Sequence, residues 1–131
     1  MSVAFLLLVS AGTQAQAIDV ANLHGIALDD TAAVLEGDWT ESTSVRPFVG
    51  EGYQHDGNAE KGKRKATFTT RVLENGFYHV LLSHTPGNNR ATNVPVTVKS
   101  ADEETTVVVN QRVAPAIGSF VDLGEFEFKA D

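Results

Sequence analysis

Cysteine is absent from the 131 residues. That removes thiol catalysis, CxxC redox chemistry, thiolate zinc sites and disulfide scaffolds. Positive charge is also scarce: Lys and Arg number 10 against 17 Asp and Glu, a formal net charge of −7. Holding a phosphate backbone needs a basic footprint, and an anionic membrane surface repels a chain of this sign, so neither nucleic acid nor such a membrane is expected as a partner. No apolar run approaches the roughly 20 residues of a bilayer span. The recurring signatures G-x-S-x-G, H-E-x-x-H, the Walker loop and the EF-hand loop do not occur. Gly50-Glu51-Gly52 has neither a third glycine nor a following helix, so it is not a dinucleotide fingerprint. Aromatics make up 8%, with a single Trp, and must serve both a core and any binding face. Catalysis is not supported, and neither a cofactor nor a metal is expected.

What is present is ordinary for one folded domain: 42% hydrophobic and 21% charged residues in a chain of single-domain length. Residues 1–17 are set apart. They carry no charge, hold the apolar run Ala4-Phe5-Leu6-Leu7-Leu8-Val9, and end in Ala15-Gln16-Ala17. This is the pattern of a removable export leader, although the usual basic start is missing. The competing reading is a buried N-terminal helix or strand. The leader implies a secreted, cell-surface or periplasmic protein, with the domain itself over residues 28–131.

From Leu28 the pattern has period 2. Ala66, Phe68, Thr70 and Val72 share one face of Lys65–Val72, as in a strand with one dry side. Glu74-Asn75 is a turn signal, predicting a hairpin into Phe77–His84. The latter run is apolar on both faces and belongs in the middle of a covered sheet. Thr85 to Asn89 reads as a loop. Val94, Val96 and Val98 alternate with Pro95, Thr97 and Lys99, with Pro95 marking an edge or a strand start. Thr105–Asn110 is a β-branched strand. In the last strand, Val121 and Leu123 face oppositely to Phe126 and Phe128, and a bulge near Gly124-Glu125 would return all four to one core. Thr31–Leu35 reads as a first strand or one helical turn, and Gly50–Lys63 as a long exposed loop. Short strands with frequent turn signals predict an all-β sandwich.

Candidate binding residues follow from the chemistry of sugars. A flat ring meets the C–H face of a pyranose while neighbouring polar groups meet its hydroxyls. Trp39 suits this, or plugs the core. Tyr53 and His55, in the glycine-flanked loop, are expected to be exposed, or to pack the loop. Arg90 can fork onto an acceptor or brace its own loop, and Asn93, Asn110 and Gln111 can tie loop backbone. The acidic residues Asp29, Asp30, Glu36, Asp38 and Glu41 could supply oxygens to calcium, but their spacing fixes no loop.

Five segments then carry a resemblance: Trp39–Val45, Gly52-Tyr53-Gln54-His55, Asn89–Val98, Thr106–Arg112 and Leu123–Phe128. Together and in this order they are similar to the golvesin/xanthan-lyase carbohydrate-binding-like domain, as attached to bacterial FAD-dependent oxidoreductases and xanthan-lyase-like proteins. The resemblance implies a jelly-roll-like antiparallel β-sandwich. It also implies a non-catalytic accessory module of secreted multidomain proteins, with polysaccharide as its partner. Members of that family continue past Phe126-Glu127-Phe128 into a further hairpin, so the sandwich is expected to lack its closing strand and to leave an open edge. That edge supports the alternative, a structural domain that packs against an oxidoreductase or lyase partner domain or pairs with itself.

Overall fold

A computed structural model describes residues 2–3, 5–10, 25–46, 48–57, 62–116 and 119–130. Among the described residues eleven strands run in chain order: β1 (Ser2–Val3), β2 (Phe5–Ser10), β3 (Ile26–Asp29), β4 (Val34–Glu36), β5 (Thr40–Ser42), β6 (Tyr53–His55), β7 (Lys65–Thr67), β8 (Gly76–Ser83), β9 (Val94–Lys99), β10 (Glu104–Val109) and β11 (Phe120–Phe128). The only helical element among the described residues is a 3-10 turn at Asp30–Ala32. Every strand pairing among the described residues is antiparallel. The main sheet has the order β11-β8-β2-β3, and three smaller ones are β1-β6-β5, β10-β9 and β4-β7.

The layers meet in one core. Val80 and Leu82 of β8 with Leu123 and Phe126 of β11 pack against Val98 of β9 and Val109 of β10, and Val72 joins them from the segment before β8. A four-stranded sheet is thus covered by the β9–β10 hairpin, which is the sandwich that the alternation predicts. β8 lies between β11 and β2. Its residues Val80 to Ser83 are buried in succession, as expected of a strand covered on both faces. Pro95 lies on a two-stranded ribbon, where its missing N–H is tolerated.

The predicted bulge is present. The β11–β8 register shifts between Asp122 and Glu125. Gly124 takes φ 124° there, a conformation costly for any residue with a Cβ. The Asp122 carboxylate accepts from the Gly124 N–H at 2.9 Å. Leu123 and Phe126 consequently both reach the core, although their odd separation would split them in an unbulged strand. His79 sits across the bulge, with Nδ1 3.0 Å from Asp122 and Nε2 3.7 Å from Glu125.

Three expectations are corrected. Lys65–Val72 does not form a hairpin with the following strand. Only Lys65–Thr67 is strand, and it pairs with β4 rather than β8. Ala66, Phe68 and Val72 still pack on the core, so the alternation reported burial faithfully but not the pairing partner. Second, Thr31–Leu35 is divided between the end of the 3-10 turn and β4. Third, the stretch from Gly50 to Lys63 is not simply an exposed loop, because it contains β6. The leader-like run lies in the main sheet: Phe5–Ser10 pairs with β3 on one side and β8 on the other.

Candidate functional site

β5 and β6 form an antiparallel pair in which Ser42 faces Tyr53 and Thr40 faces His55. Past Ser42 the chain bends sharply: its hydroxyl accepts from the Ser44 N–H at 3.1 Å, and the two hydroxyls lie 3.1 Å apart. A second wall comes from the loop after β8, where the Arg90 N–H closes a turn onto the Gly87 carbonyl at 3.0 Å. Between these elements is a cavity of about 310 Å³, lined by Ser42, Ser44, Val45, Tyr53, His55, Gly57, Asn89 and Arg90.

Tyr53 is the floor. It is 2% exposed, with Phe48 at 6.0 Å and His55 at 6.1 Å, centroid to centroid, both tilted by about 45°. The Arg90 guanidinium carbon lies 5.8 Å from the Tyr53 centroid, within cation–π range. Arg90 is itself buried. It donates to the Thr85 carbonyl (Nε, 3.4 Å), the Thr85 hydroxyl (Nη2, 3.2 Å) and the Asn89 side-chain oxygen (Nη1, 3.2 Å). A guanidinium has five N–H donors. Arg90 therefore braces its own loop and presents a charged plane to the cavity.

His55 is half-buried. Its Nδ1 accepts from the Gly57 N–H at 3.1 Å, so the neutral ring carries its proton on Nε2 and offers a donor. Arg64 donates to the carbonyls of Asp38 and Asp56, the latter next to His55 in the chain. Gly37 takes φ 94°, and a Cβ there would meet the Arg64 side chain at 2.8 Å.

The cavity brings together three of the four nominated residues, Tyr53, His55 and Arg90. Trp39 lies outside it, half-buried, with its indole N–H donating to the Glu36 carbonyl at 3.0 Å. Trp39 is not part of the buried core cluster either. Of the two expectations for Tyr53, exposure is overturned: the ring is buried, packed among Phe48, His55 and the Arg90 guanidinium. The loop-tying residues behave differently from one another. Asn110 accepts from the Arg112 N–H at 3.0 Å. Gln111 is fully buried, and its backbone N–H donates to Ala91 at 3.0 Å. Asn93 is exposed. Ser42, Ser44 and Asn89 were not singled out from sequence; they lie in the segments that carry the resemblance, but only the β5–β6 pairing and the turn at Arg90 bring them together.

Two buried ionisable groups elsewhere are perturbed. Burial pushes the Asp30 carboxyl up to about 7, helped by its hydrogen bond to and repulsion from Asp29. Burial lowers the His84 imidazole below its ordinary value, and the Arg90 charge adds to this. Neither His84 nitrogen has a hydrogen-bond partner. No group of three or more His, Asp or Glu among the described residues is placed to hold a metal ion.

A model of the Golvesin C-terminal domain matches residues 26–131. The chain belongs to this family. It is 32% identical over 102 residues to "Xanthan lyase" of Bacillus sp. (strain GL1), a match that takes in 78% of the chain and 11% of that protein. It also superposes on the solved structure of Paenibacillus xanthan lyase with a TM-score of 0.70 and 31% identity, over 95% of the chain and 10% of that structure. The golvesin-type chain thus spans about a tenth of the length of these relatives, and what it shares with them is an accessory domain of a larger protein. Among the described residues no helix is long and apolar enough to cross a membrane.

Proposed function

We propose that this golvesin-type domain is a non-catalytic, extracellular module that binds polysaccharide through the cavity on Tyr53. The observation that carries the reading is the convergence of an aromatic floor, two hydroxyls, an amide, a ring N–H and a guanidinium around one opening. Hydroxyl-rich ligands are recognised by such mixed donor and acceptor sets, and about 310 Å³ is at the small end of ligand sites. His55 and Ser44 would contact the sugar directly. Arg90 and Asn89 would supply one wall, and Tyr53 its shape. The pair of serines hydrogen-bond each other, which suits them to binding rather than to nucleophilic attack, where a base must take the hydroxyl proton. The relatives' name makes xanthan the first polysaccharide to test. Trp39 has no part in this reading.

Titration calorimetry of the folded chain against xanthan and a polysaccharide panel tests it. Binding that falls at least fivefold in His55→Ala and in Ser44→Ala, with Trp39→Ala unchanged, is expected. A folded sample that gives no heat with any glycan would sink the reading.

A second reading is favoured by the sheet order. Among the described residues β11 (nine residues) pairs as a strand with β8 alone, and its Glu127 carbonyl accepts from the Ala101 N–H at 2.9 Å, so the stretch between Phe120 and Glu127 is the edge on which another domain could dock. Light scattering at rising concentration separates the two: a constant monomer mass argues against self-pairing.

A further inference from the structure

Among the described residues β3 has one partner in the main sheet, and that partner is β2. β2 in turn bridges β3 to β8: Leu6, Leu7 and Leu8 face Leu28, Ala27 and Ile26 on one side and Leu82, Leu81 and Val80 on the other. Without Phe5–Ser10 the sheet has a gap one strand wide, β3 is detached, and the β8 edge over its buried residues is bare. Yet the family match begins only at residue 26. The family-defining sequence therefore contains both walls of the gap and not the strand that fills it. The superposition with the Paenibacillus structure takes in 95% of the chain, so it reaches into residues ahead of Gly25. This is what a seat defined by backbone pairing looks like, since ladder hydrogen bonds read strand geometry and little side-chain identity.

We propose that the interval between β3 and β8 is a strand-acceptor site for an extended, uncharged, apolar segment of about six residues, and that Phe5–Ser10 is its occupant. The segment runs antiparallel to both walls, so both ladders are made without strain in direction. The absence of charge over residues 1–17 fits a position inside a sheet, where an unpaired charge is costly. The same segment also reaches the cavity. Ser2 pairs with His55 and Val3 with Gln54, so filling the seat props the edge of β6 that carries Tyr53 and His55. A chain cut after Ala17 would lose the strand and leave the seat open to a peptide of the same chemistry. This proposal stands independently of sugar binding.

The test uses the full chain with one protease site inserted between Gln14 and Ile18. After folding, the chain is cut and offered a fluorescent peptide of residues 2–10 bearing a lysine solubility tail. The expected result is uptake of the peptide in exchange for the cut segment, at least tenfold weaker for the same peptide with Leu7→Pro, which removes a ladder donor. Loss of the cut segment is also expected to shift the His55 ring resonances, and peptide uptake to return them to their positions in the uncut chain. No uptake overturns the proposal, whether the cut body keeps its fold or loses it. In the uncut, cysteine-free chain, Leu7→Cys with Leu81→Cys should give a disulfide-linked monomer; failure to cross-link under oxidising conditions counts against the register, and cross-linked dimers count against occupancy within one chain.

Discussion

Arg112 donates from Nε to the carbonyl of Arg90 at 2.7 Å, across 22 residues of sequence. The contact ties the end of β10 to the loop that walls the cavity, and the Gln111 N–H to Ala91 bond doubles it. The β9–β10 hairpin thus holds in place a guanidinium whose own hydrogen bonds are all local. Removing Arg112 should therefore loosen the wall without opening the core. Arg112→Ala is expected to weaken polysaccharide binding a few-fold with a small stability loss. Arg90→Ala deletes a buried brace and its stacking on Tyr53, and should cost roughly 1.5–3 kcal/mol. Urea unfolding of both variants checks the order, and a larger loss in Arg112→Ala would contradict it.

Asp30 sets one pH dependence. Its carboxyl keeps its proton in the folded state up to about 7, whereas the unfolded chain releases it near 3.8. The folded state thus binds more protons over this window, and this group's contribution to stability is complete below about 4 and declines as pH rises towards 7. Asp30→Asn should flatten that decline. Melting temperatures from pH 4 to 8 test it, and a wild-type and variant difference constant with pH would refute it.

His84 works in the opposite direction. Burial lowers its folded value while the unfolded ring titrates near 6.5. The unfolded state then takes up the proton first, so this contribution is present above 6.5 and is lost as pH falls below it. With both nitrogens unpartnered, His84→Leu should remove the acid-side loss and be neutral or stabilising at pH 7. Chemical denaturation at pH 5.5 and 7.5 reads both effects; a variant more acid-sensitive than the parent would be the contrary result.

Gly124 carries the bulge. At φ 124°, Gly124→Ala has room for its Cβ, since the nearest atoms are on the Phe126 ring at 3.5 Å. The cost is therefore backbone strain, about 1–3 kcal/mol. A variant as stable as the parent in thermal unfolding would mean that the bulge relaxes.

Much of the fold was legible because side chains on a strand alternate, and burial follows that alternation. Val94, Val98 and Val109 are buried as the period requires, and the parity break between Leu123 and Phe126 was enough to place a bulge. The two-sided apolarity of Phe77–His84 likewise marked β8 as central. Tyr53 and His55 stood out because an aromatic pair lay between glycines, and Arg90 because it opened a polar cluster.

Alternation says which face is dry but is silent about which neighbour supplies the ladder. Lys65–Thr67 has the same pattern whether it pairs with β8, as the turn at Glu74-Asn75 suggested, or with β4, as it does. The same blindness hid the cavity: β5 meets β6 and the turn at Arg90 meets Tyr53 only through contacts between residues far apart in the chain, so Ser42, Ser44 and Asn89 had no local signal to distinguish them. It also explains Tyr53, whose ring is buried by Phe48 and by Arg90 from a loop 37 residues further along the chain. By itself the sequence determined that this is a cysteine-free, acidic, all-β domain with its core faces already marked. Only the tertiary structure decided which strands adjoin, because backbone hydrogen bonds between strands are satisfied by any extended partner and the choice rests on packing of the whole sandwich.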